Sequence, residues 1–211
     1  MFSFITKYFQ AFGTPVSTVI LMELLSEFAR YGSKYDLTET ERKLFEFLLT
    51  EASRMVKNFN NFFKDKYGFS LIKNMNDEKR SVMFWFVALF YYVNISESFQ
   101  YKKYGYSADA IKKLAENFFS IVEAVHGEVD ALDIFAHLDT DVGRPEHMIE
   151  AQMWLELNIP SLWCDYMNTS MQMLPNDPVD MMLRIESAAE FHGLLEFLND
   201  WLENKKLLYP S

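Results

Sequence analysis

The twelve residues VMFWFVALFYYV, 82–93, constrain the fold of this chain more than any other stretch. They carry no charge, no proline and no glycine, and on a helix they are apolar all round. Such a helix has no wet side, so other elements must surround it. It is too short to cross a bilayer: twelve residues rise about 18 Å, against a hydrocarbon core of about 30 Å. The run therefore predicts a central buried helix over about 78–100.

The surrounding elements also read as helices. Thr14-Pro15 opens one with proline in its first turn, closing near Gly32. Thr38 to Glu41, TETE, matches a capping box. Behind it Leu44, Leu48, Ala52, Met55, Phe59 and Phe62 recur at three and four, which predicts a helix to about Lys66, before Gly68. Asp77 opens the central helix and Gly105 closes it. Ser107 caps the next, on Ile111, Leu114, Phe118, Ile121, Val122 and Val125. The same phase runs on as Val129, Leu132 and Ala136, so this helix is expected to continue through Gly127. An interior glycine costs only about 1 kcal/mol relative to alanine.

DTDVGRP, 139–145, is the clearest linker, and Pro145 is expected to start a helix to about Leu157. Asn158-Ile159-Pro160 reads as a break, Ser161 as the cap of a short helix, and Pro178 as the start of a last helix to about Asn204. With only seven Gly and six Pro, a turn-dense β protein is excluded. The expectation is all-α, an irregular bundle of roughly seven or eight helices. It forms a single helical domain over 1–211, with a weak subdivision at the 139–145 linker. Twenty Phe and twelve Met make its core bulky and soft. One cysteine, Cys164, excludes an internal disulfide framework. With no secretory signal in MFSFITKYFQAFG, the expected compartment is the cytoplasm.

Charge is unevenly divided. Residues 1–105 hold fourteen Lys/Arg and eleven Asp/Glu, a net of +3, whereas residues 106–211 hold six and nineteen, a net of −13. Between Leu114 and Leu183, Arg144 alone faces thirteen acids. Phosphate contacts need Lys and Arg, so direct nucleic-acid binding by this half is excluded.

One segment combines metal-ligand chemistry with helical spacing. On a continuous helix, His126, Asp130, Asp133 and His137 in HGEVDALDIFAH fall within about 60° of one another. Imidazole and carboxylate suit zinc, iron or manganese. The ends of the stripe are about 16 Å apart, so one ion takes at most three members, with Glu186, Glu190 and His192 the candidates from another helix. Glu123-x-x-His126 also resembles half of a di-iron carboxylate site, but no second Glu-x-x-His occurs. The bland reading is a solvated edge of an amphipathic helix.

Other chemistries find no carrier. Cys164 lies beside Asp165, which opposes thiolate formation, and a buried structural thiol is expected. No Gly-x-Ser-x-Gly and no glycine-rich phosphate loop occurs. In RMVKNFNNFFKDKYG, 54–68, lysines and phenylalanines interleave, but the Phe spacing is that of a helix core. No catalytic residue and no cofactor is expected, so the chain leans away from enzymes.

The leading expectation is a small cytoplasmic interaction protein whose acidic half binds a basic partner, as an immunity protein or phage-type inhibitor binds a toxin or nuclease. The expected contact residues are Glu123, Asp130, Asp133, Asp139 and Asp141. The first alternative is a metal-dependent helical enzyme with ligands on the His126–His137 stripe. The second is a structural or regulatory homodimer. None of these readings involves a membrane.

Overall fold

A computed structural model describes residues 15–35, 37–68, 70, 72, 74–104, 108–127, 131–134, 156, 158–166 and 178–205. Among the described residues there are seven helical segments and no strand. They are α1 (Pro15–Gly32), α2 (Glu39–Tyr67), α3 (Met75–Tyr104), α4 (Ala108–His126), α5 (131–134), α6 (158–166) and α7 (Pro178–Lys205). No helix among them is long and apolar enough to cross a membrane.

The apolar run forms the axis of the bundle. Every residue of α3 from 81 to 90 is buried, as are Tyr92 and Val93. Helices α1, α2 and α4 pack against it, and buried residues of all seven segments join one core. Phe28 of α1 meets Phe86 edge-on at 5.0 Å. Phe118 of α4 stacks on Phe90 at 3.5 Å. Trp163 of α6 stacks on Phe59 of α2 at 5.0 Å and donates its indole N–H to Ser81 Oγ at 3.1 Å. Phe191 of α7 lies 5.3 Å from Trp85. Edge-on and offset contacts with ring centroids about 4.5–7 Å apart, such as Phe28–Phe86 and Trp163–Phe59, each add about 0.5–1.5 kcal/mol beyond simple burial.

Polar ties at the rim repeat these pairings. Lys79 of α3 reaches Glu23 and Glu27 of α1, at 3.8 and 3.5 Å. Arg184 of α7 pairs with Asp165 of α6 at 2.6 Å and donates to the Ser161 carbonyl. Exposed pairs of this kind contribute about 0–1 kcal/mol each, so they position helices more than they stabilise them.

Several helix ends follow the local chemistry. The Thr38 side chain accepts from the Glu41 N–H, and Glu41 accepts from the Thr38 N–H at 2.6 Å, completing the capping box. Gly68 closes α2 at φ 73°, a left-handed conformation that glycine adopts without penalty, and donates to the Lys64 carbonyl. The cap of α3 is Asn74, not Asp77. Its Oδ1 accepts from the Asp77 N–H at 2.9 Å, which places Asp77 inside the first turn.

Two expectations are corrected. The helix over 108–126 does not continue through Gly127: α4 ends at His126, and Gly127 turns to φ 95° with its N–H on the Glu123 carbonyl. The turn resets the apolar phase, so Ala131 and Ile134 are buried while Leu132, expected in the core, is 58% exposed. The Asn158–Pro160 break is also absent. All three residues are helical and belong to α6, so Pro160 does not break the chain there. The 139–145 linker and the helix starting at Pro145 lie outside the described residues.

One core group is out of keeping with its surroundings. Glu78, on the first turn of α3, is only 8% exposed, and burial pushes its carboxyl above the ordinary carboxylate range. A raised acid weighs against the fold where it is ionised. That burden is present above the folded-state value and is relieved as pH falls below the unfolded value, about 4.3. Glu78→Gln is therefore expected to raise the melting temperature at pH 7 and to lose that advantage below about pH 4. Thermal melts at the two pH values check this, and an equal effect at both would refute it.

Candidate functional site

The expected contact acids begin where α4 ends. Glu123 is exposed on the last turn, on the same face as Phe119 four residues earlier, which is 40% exposed. Beyond the left-handed Gly127, the chain re-enters a helix, with the Ala131 N–H on the Gly127 carbonyl at 3.0 Å. Leu132 and Asp133 both face solvent there, with Ala131 and Ile134 anchoring the segment in the core. The site is thus two pairs, each an acid with an apolar neighbour, on either side of a glycine turn. Charge counting identified the acids. The apolar partners escaped it, because Leu132 fits the core phase of an unbroken helix.

Of the expected contact residues, Glu123 and Asp133 are exposed as anticipated, while Asp130, Asp139 and Asp141 lie outside the described residues. The metal stripe fares differently. His126 closes α4 and Asp133 lies in α5, with the Gly127 turn between them, so they do not share one helical stripe. His137 lies outside the described residues.

The candidate ligands from α7 are oriented toward other groups. Glu186 pairs with Lys66 at 3.5 Å, and Glu190 is exposed. His192 lies between two carboxylates, Glu156 at 3.1 Å from Nδ1 and Glu196 at 3.5 Å from Nε2. Opposite ring nitrogens point in opposite directions, so this trio is a bridge between two carboxylates rather than a convergent ligand set. The His192–Glu196 spacing was open to sequence reading, but Glu156 arrives from a distant part of the chain. Among the described residues, no group of three His, Cys, Asp or Glu is arranged to hold a metal.

The remaining candidates are core. Cys164 is fully buried. Phe59 and Phe63 are buried, and the face of Phe59 is taken by Trp163. Lys66 lies 4.6 Å over the Phe62 ring. These aromatics offer no platform for stacked bases.

Comparison of the chain with known protein families, curated protein sequences and solved structures finds no match.

If the stripe is a solvated edge, replacing Asp130 and Asp133 with Asn changes stability by no more than about 0.5 kcal/mol, the usual range for surface positions. Denaturant unfolding checks this alongside metal analysis of untagged protein. Stoichiometric zinc, iron or manganese in the wild type, absent from the double variant, would restore the metal reading.

Proposed function

We propose that this chain is an interaction protein whose acidic C-terminal half captures a basic protein partner, in the manner of an immunity protein or phage-type inhibitor acting on a toxin or nuclease. The observation that carries this reading is the division of charge, +3 over residues 1–105 against −13 over residues 106–211. Like charges concentrated on one half repel one another and weaken the compact state. A cationic partner turns that liability into steering, because the field speeds encounter and competes with the partner's anionic substrate. The exposed Glu123 and Asp133 supply rim charge, and the exposed Phe119 and Leu132 supply apolar contact beside it.

Capture from the native host with the full chain as bait tests the reading, followed by stopped-flow association of the purified partner at low salt and at about 0.5 M salt, where the Debye length shrinks to about 4 Å. A basic protein whose association slows steeply with salt is the expected result. An acidic partner, or a rate indifferent to salt, would overturn it.

A further inference from the structure

The outer face of α7 breaks the usual division between a wet and a dry side. Its inner face is core: Phe191, Leu194, Leu195 and Leu198 are all buried. Its outer face carries Ile185, Ala189, Gly193 and Phe197, spaced by four and all exposed, with Ile185 at 53% and Phe197 at 50%. Phe197 keeps that exposure although its ring lies 5.9 Å from Phe47. The apolar segment 81–90 of α3 is buried on every side, whereas the apolar row on the outer face of α7 is exposed.

The shape and charge of the row indicate what covers it. Residues spaced by four form a ridge on a helix, and another helix can cross such a ridge at close range. Ala189 and Gly193 make the middle of the row low, and a Cβ added at Gly193 would meet nothing within 4 Å. Ile185 and Phe197 rise at either end. Around the row α7 is acidic, with six Asp/Glu against Arg184 and Lys205 over Pro178–Lys205, and Glu190 and Glu196 exposed beside it. A second copy of this chain would set glutamates against glutamates. A cationic helix would not.

We propose that this face seats an amphipathic basic helix of a partner protein, its apolar side chains over Ala189 and Gly193 and its Lys or Arg side chains on Glu190 and Glu196. The proposal rests on the reading of the chain as a binder of basic proteins and adds the element recognised and the place where it docks. Gly193 decides the test, because enlarging it blocks close approach without altering charge. It also removes a glycine from a helix interior.

The probe is a synthetic helical peptide of about twenty residues, leucine on one face and lysine on the other, with a glutamate-for-lysine control. Titration calorimetry with the full chain measures both. The lysine peptide is expected to bind and the glutamate peptide not. Gly193→Gln should weaken binding at least tenfold while raising the melting temperature by about 2 °C, the gain from better helix propensity. Glu190→Lys with Glu196→Lys should weaken it further and flatten its salt dependence. Equal affinity for wild type and Gly193→Gln overturns the proposal. So does the absence of peptide binding, or a wild-type dimer that Gly193→Gln dissolves, which would place a second copy on this face. If binding is lost only with Glu123→Lys and Asp133→Lys, the α7 seat is wrong and the wider reading stands. If host capture also yields no basic partner, both fail.

Discussion

Phe118→Ala is expected to cost about 3–5 kcal/mol of folding stability, the range for removing a fully buried aromatic ring. Phe118 is completely buried and reaches two other helices at once. Its ring stacks on Phe90 at 3.5 Å, lies 5.1 Å from Phe86 on the same central helix, and 5.8 Å from Phe45 of α2. Truncation removes these contacts and leaves a cavity that three helices cannot readily close, since each is held elsewhere in the core. The neighbouring Phe119 is 40% exposed and serves as the internal control. Phe119→Ala should cost about 1 kcal/mol or less, as surface substitutions do. Denaturant unfolding of both variants checks the contrast. A Phe118→Ala loss below about 1.5 kcal/mol would mean that α4 is not docked as described.

The features legible in the sequence are those decided by a few adjacent residues. Thr38 and Glu41 satisfy each other's backbone across one turn, and Gly68 needs only its own freedom at positive φ, so both ends of α2 could be located without the fold. The central helix was equally open, since its apolar groups leave no side for water. Gly127 was not. Val125 and Val129 continue the phase of α4, and a helical glycine costs too little to force a break. What decides the matter is which side chains reach the core, and the chain turns so that Ala131 and Ile134 do. Pro160 misled for a related reason, because proline disfavours a helix without forbidding one, and residues 158–160 are helical. At the candidate site, composition showed the excess of acids. Their orientation follows from the helix register, and the Glu156–His192 pairing from tertiary contact alone.

Reversing acids on the proposed contact surface should slow association far more than it speeds dissociation. Glu123→Lys with Asp133→Lys changes the local charge by about four units at two exposed positions, and Asp139→Lys with Asp141→Lys makes a charge change of the same size further along the sequence. Electrostatic steering raises protein association rates by about 10- to 1,000-fold, so each double reversal is expected to lower the rate about 10-fold or more at low salt. The loss should nearly vanish at about 0.5 M salt, where charges beyond about 4 Å are screened in the wild type as well. Dissociation should change less, because rim charges act on encounter while desolvated contacts hold the complex together. Stability supplies the control. Glu123 and Asp133 are exposed, so the folded state should move by no more than about 0.5 kcal/mol, and any slowing reflects lost attraction rather than lost structure. Stopped-flow association across a salt series measures all of this on one protein pair. A slowing that persists undiminished at high salt would point to a blocked contact instead of a weakened field, and would remove the electrostatic basis of the proposed function.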